Sequence, residues 1–156
     1  VARYEFLTTW CVDAPIDVVF DVLHDSARYP QWWKGVQSVD VVRPGDREAV
    51  GETVHFRWRS VLPYSLGFDL TVTRVERPYL IEGHATGELE GIGTWRLYQG
   101  LGTAIVYDWR VRTTRWWMNA LGPVARPAFS WNHDVVMRQG ARGLAAELGA
   151  ALLAHS

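Results

Sequence analysis

The sequence predicts an α+β domain, a curved antiparallel sheet of about seven strands wrapped around one long C-terminal helix, with two short helices after strand 1. Three observations lead there. Apolar residues recur with period two through most of residues 36–111, broken by turn signals. After Thr114 the period becomes that of a helix. The chain also carries nine tryptophans in 156 residues, more than the core of a small domain absorbs, so some are expected to line a cavity.

The β-rich run Tyr4–Val12 is the first strand. Ile16, Val19, Phe20 and Leu23 then follow at helical spacing. Pro15 suits the first turn, Asp17 the positive end of the helix dipole, and Asp13 is the expected cap. In Arg28–Trp33, Pro30 breaks the helical run and predicts a second, short helix. Six further strands are expected at Val36–Val42, Thr53–Val61, Leu66–Val75, Leu80–Thr86, Gly93–Tyr98 and Thr103–Val111. The short links Pro44-Gly45-Asp46, Pro63, Arg77-Pro78 and Gly100-Leu101-Gly102 make them a meander. A long helix is expected from Pro127 to Leu153, with Phe129, Val136, Met137, Leu144, Leu148 and Leu152 on its apolar face. Gly140 and Gly143 interrupt it at a cost of roughly 1 kcal/mol each, which points to close approach of a strand or ligand to its backbone, or else to a bend.

Composition bounds the function. Hydrophobic content of 48% and charged content of 21% belong to a folded chain, read as a single domain over residues 1–156. A net charge of -1 gives no electrostatic footprint for nucleic acid. No apolar run approaches the roughly 18 residues that span a bilayer, and no signal-peptide pattern opens the chain. The lone Cys11, expected as an inert core thiol, excludes an internal disulfide framework and fits a reducing, cytoplasmic setting.

Alternation sorts the side chains by face. Val54, Phe56 and Trp58, then Leu66, Phe68, Leu70 and Val72, then Trp95 and Leu97, then Ile105, Tyr107, Trp109 and Val111 share the apolar face. Arg57, Arg59, Asp69, Arg96, Asp108, Arg110 and Arg112 take the other, read as a solvated outer surface with cross-strand ion pairs. One helix covers too little of such a sheet, so the concave space becomes packed side chains or a pocket.

Three segments carry a family resemblance: Asp13–Leu23 with Asp25–Trp33; Gly93-Thr94-Trp95-Arg96-Leu97 with Gly102-Thr103 and Tyr107-Asp108-Trp109; and the helix Trp131–Leu144. In that order the chain resembles the START-related superfamily of polyketide cyclases, dehydrases and lipid carriers (SRPBCC), whose fold is the helix grip. The resemblance implies a hydrophobic pocket between sheet and terminal helix, an apolar small-molecule ligand of lipid, polyketide or isoprenoid type, and no obligatory cofactor. Its members divide among carriers, receptors and enzymes, and no shared catalytic motif transfers residue by residue.

The ligand-contacting candidates are Phe56, Trp58, Phe68, Trp95, Tyr107, Trp109, Trp131, His133 and Met137. His133 lies on the helix face shared with 129, 136, 137 and 140, where it either exchanges a proton with a ligand or makes a structural hydrogen bond that orients the helix. Tyr107 either orients a ligand through its hydroxyl or satisfies that hydroxyl at the sheet edge. These two are the catalytic candidates if the domain is a cyclase or dehydratase; a carrier needs neither. No His/Cys spacing suggests a metal. Trp116-Trp117-Met118 and Leu62-Pro63-Tyr64 read as apolar loops that form either the pocket mouth or a homodimer surface.

Overall fold

Burial along the first ten described residues alternates strictly enough to fix the sheet. In β1 (Arg3–Val12) Tyr4, Thr8, Trp10 and Val12 are buried while Arg3, Glu5 and Leu7 are exposed. A computed structural model describes residues 3–59, 62–120 and 122–156, apart from the side chains of residues 117, 118, 122 and 123. After β1 come α1 (Ile16–His24), a 3₁₀ turn (Ser26–Arg28) and α2 (Tyr29–Trp32). The meander β2 (Val36–Arg43), β3 (Thr53–Trp58), β4 (Leu66–Glu76), β5 (Leu80–Gly87), β6 (Leu89–Gln99) and β7 (Thr103–Thr113) follows. The chain ends with α3 (Trp116–Ala120), α4 (Gly122–Leu148) and β8 (Leu152–His155).

The sheet has eight strands in the order β2-β3-β4-β5-β6-β7-β1-β8, so β1 closes back beside β7 and the edges are β2 and β8. Phe6 sits opposite Trp109 and Thr8 opposite Tyr107. Phe56 faces Phe68 across β3 and β4, and Trp95 faces Tyr107 across β6 and β7. These cross-strand pairs stack rings on the concave side.

Several expectations are corrected. The terminal helix starts at Gly122, carries Pro127 inside it and stops at Leu148, not Leu153. Gly149 takes φ 61°, open to glycine at no steric cost, and the chain turns there. Leu152 and Leu153 then belong to β8, an eighth strand pairing with Trp10–Val12. Asp13 does not cap α1: the amide of Ile16 donates to Gln99 Oε1 at 2.8 Å, from the end of β6. Cys11 is only partly buried, because it points away from the face that Trp10 and Val12 occupy. β3 ends at Trp58, short of the expected Val61, which lies outside the described residues.

The helix glycines do mark close approach, chiefly by α2 and its following residue Trp33 and, at Gly140 alone, also by a strand residue, Trp10 of β1. A Cβ on Gly143 would lie 1.8 Å from the Trp32 carbonyl oxygen, and one on Gly140 would lie 2.6 Å from the Trp33 indole and 2.8 Å from that of Trp10. Trp33 Nε1 donates to the Val136 carbonyl at 2.9 Å, tying α2 to the middle of α4. The short helix between β1 and β2 thus seats the long one.

Candidate functional site

Between the concave face and α4 lies a cavity of about 190 Å³. One side is built from β3, β4 and β5 and is apolar: Val54, Phe56, Trp58, Leu66, Phe68, Leu70, Val72 and Ile81 line it. The other side comes from β1, β6, β7 and α4 and mixes rings with polar groups: Tyr4, Phe6, Trp95, Tyr107, Trp109, Phe129, Asn132, His133 and Met137. Ring contacts run continuously through it. Trp33 is 4.9 Å from Trp58, Phe68 5.7 Å from Trp109, and Trp95 4.1 Å from Tyr107.

Eight of the nine expected contact residues line this space: Phe56, Trp58, Phe68, Trp95, Tyr107, Trp109, His133 and Met137. Trp131 does not. It is 54% exposed, because two residues beyond Phe129 a helix has turned by about 200° and presents the opposite side. Among the other tryptophans, Trp10 and Trp32 are packed core, while Trp116 is on the surface and the side chain of Trp117 lies outside the described ones. Arg59, expected on the outer face, sits on the cavity lining, since alternation ends with β3 at Trp58. The rest of the convex surface carries the anticipated ion pairs, among them Arg112–Glu90 across strands and Arg110–Asp108 within β7 at 3.1 Å.

Polar atoms on the wall divide into satisfied and unsatisfied ones. Toward α1, Tyr29 donates its hydroxyl to the Leu23 carbonyl at 2.5 Å, and His24 Nε2 donates to the Glu48 carbonyl at 2.6 Å. Toward β1 and α4, the Tyr4 hydroxyl and Asn132 Oδ1 are buried with no partner. Each such orphan costs about 1–3 kcal/mol. Sequence patterning missed Tyr4 and Asn132. Burial raises the Tyr4 hydroxyl pKa, an effect that the Arg126 guanidinium partly offsets from 4.4 Å over the ring. Burial also raises Tyr107 well above the ordinary phenol value, and Tyr64 to about 12. It pushes the His133 imidazole down to about 4, so His133 is neutral at pH 7.

Neither the His133 nor the Tyr107 side chain hydrogen-bonds to another described residue. No group of three or more His, Cys, Asp or Glu among the described residues could hold a metal ion, and no described helix is long and apolar enough to cross a membrane.

An aromatic void gripped between a curved sheet and one long helix is what comparison with known proteins also finds. Residues 12–137 match the family model described as "Polyketide cyclase / dehydrase and lipid transport". The chain belongs to that family. A search of curated proteins finds no match. Among solved structures, the Zhui aromatase/cyclase from Streptomyces sp. R1128 superposes with a TM-score of 0.72 at 15% identity, covering 93% of each chain. A START superfamily protein from Mycobacterium smegmatis gives 0.70 at 12%, covering 94% of this chain and 97% of that one. The ginseng major latex-like protein 151 from Panax ginseng gives 0.63 at 10%, covering 90% and 97%. At such identities the likeness is one of fold: polyketide cyclase/dehydrase and lipid transport members share the helix grip.

Proposed function

We propose that this domain binds a small apolar molecule of one or two fused rings between its sheet and α4. The observation that carries the reading is the aromatic cavity itself, where Arg59 is the sole Asp, Glu, Lys or Arg among the described residues of the lining. An apolar cavity of about 150 Å³ takes benzene, so about 190 Å³ suits one or two rings, whereas drug-sized ligands fill roughly 300–1,000 Å³. A long poly-carbonyl chain would therefore have to push the walls apart. Burying roughly 250 Å² of ring surface contributes about 6 kcal/mol, a dissociation constant on the order of tens of micromolar.

Ligand-observed NMR with naphthalene tests the proposal, alongside native mass spectrometry of protein from its own host. Saturable naphthalene binding is expected. Its absence, with no co-purifying mass, would overturn the reading.

A second reading is an enzyme of the cyclase or dehydratase type. It is favoured by the unspent hydrogen-bonding capacity of Tyr107 and His133 on one lining. The magnitude of the His133 shift weighs against it, because a base near 4 is poorly matched to proton abstraction at neutral pH. Turnover of candidate polyketides lost in both His133→Ala and Tyr107→Phe would reverse that order of preference.

A further inference from the structure

Besides Trp58 Nε1 on the apolar side, and Tyr107 and His133, the wall carries two unsatisfied polar atoms toward β1 and α4. Tyr4 is 4% exposed, yet its hydroxyl has no partner; Asn132 Oδ1 is likewise buried and alone. The two flank one ring. Phe129 meets the Tyr4 ring edge-on at 6.1 Å, and Asn132 lies three residues farther along α4, on the same helix face. Both residues line the cavity, and toward α1 Tyr29 and His24 are already bonded to backbone carbonyls.

We propose that the Tyr4–Asn132 end of this cavity is a subsite for a neutral hydroxyl group, such as a phenol, enol or alcohol, carried by the ring ligand. The inference rests on the binding reading above and adds the head group to it. A hydroxyl matches both orphans at once: its oxygen accepts from the Tyr4 O–H, and its own hydrogen goes to Asn132 Oδ1. A carboxylate could accept from Tyr4 but has no proton for Asn132. It would also lose its water without gaining a buried cation. Arg126, over the Tyr4 ring, and Arg59, on the lining, are both exposed.

The test compares naphthalene, 2-naphthol and 2-naphthoate at pH 7 on the full chain and on Tyr4→Phe and Asn132→Leu. The full chain should prefer 2-naphthol over naphthalene by roughly ten-fold, the worth of one to two net hydrogen bonds. Each variant should lose most of that preference, read as the ratio of 2-naphthol to naphthalene affinity within the same variant, with circular dichroism as the check that the fold is intact. Tyr4→Phe should unfold at an unchanged or higher temperature, because no bond is lost. A clearly lower one would mean that the hydroxyl already has a partner and would overturn the subsite. Equal affinity of the full chain for naphthalene and 2-naphthol would overturn it too, with water satisfying both atoms. Tighter binding of 2-naphthoate would move the head group to Arg59 and refute the neutral assignment. Failure of all three compounds to bind would instead remove the binding reading itself.

Discussion

The imidazole of His133 stacks on Phe6, with ring centroids 3.8 Å apart and planes 11° from parallel. Phe6 is held in turn by β1 opposite Trp109, so the histidine is packed against a fixed wall. Burial among these groups disfavours the charged ring and brings its pKa from 6.5 to about 4. The unfolded chain therefore takes up a proton that the folded one refuses between those two values. Stability contributed by the neutral ring is complete above about pH 6.5 and falls as pH drops toward 4, by on the order of 2–3 kcal/mol. Urea unfolding at pH 7.5 and 4.5 should show His133→Gln losing less stability than the parent across that interval. Equal losses would mean that His133 is hydrated in the fold.

Gly143 allows α4 to touch the backbone of α2. A methyl there would lie 1.8 Å from the Trp32 carbonyl oxygen, and neither partner is a flexible side-chain end. Gly143→Ala should destabilise by about 3 kcal/mol or more, or prevent folding. Gly140→Ala meets the buried indoles of Trp33 and Trp10 at 2.6 and 2.8 Å. Trp33 is held by its bond to the Val136 carbonyl, so a loss of about 1–3 kcal/mol is expected there. Thermal unfolding of the two variants would check both values and their order.

These two glycines were legible in the sequence because a helix interior tolerates glycine only at a cost. Phe56, Phe68, Trp95 and Trp109 were legible for a similar reason: alternation in a one-sided sheet assigns each to a face whatever its partner is. Helical phase was harder to read. Trp131 falls outside because its neighbours Phe129, Asn132 and His133 take the inward positions. Tyr4 and Asn132 were invisible, since an orphaned polar atom is defined by what the tertiary fold fails to bring to it. The cap of α1 was hidden for the converse reason. Its partner, Gln99, is 83 residues away from Ile16.

That long-range cap has a companion. Thr103, 1% exposed, donates its hydroxyl to the Ala14 carbonyl at 2.7 Å, so the β6–β7 turn holds the segment entering α1 at two points. Thr103→Val keeps the shape but leaves the Ala14 carbonyl unpaired, at a cost of about 1–3 kcal/mol. Gln99→Ala loses a cap at an exposed position and should cost about 1 kcal/mol. The two bonds share one segment, so the double variant should depart from additivity. Denaturant midpoints of the two singles and the double would measure it.

Val72 offers a way to separate occupancy of the cavity from stability of the fold. It lies on the apolar side of the lining but is only partly buried, unlike the packed Val54 and Phe56. Val72→Phe adds a ring where the cavity now is, so it should fill space instead of forcing apart a dense core, and its stability should stay within about 1 kcal/mol of the parent. Naphthalene should then lose at least roughly ten-fold in affinity, because guest and side chain compete for one volume of about 190 Å³. Ligand-observed NMR reads the affinity, and urea unfolding reads the stability. A variant that is equally stable and still binds naphthalene as the parent does would place the guest elsewhere on the protein.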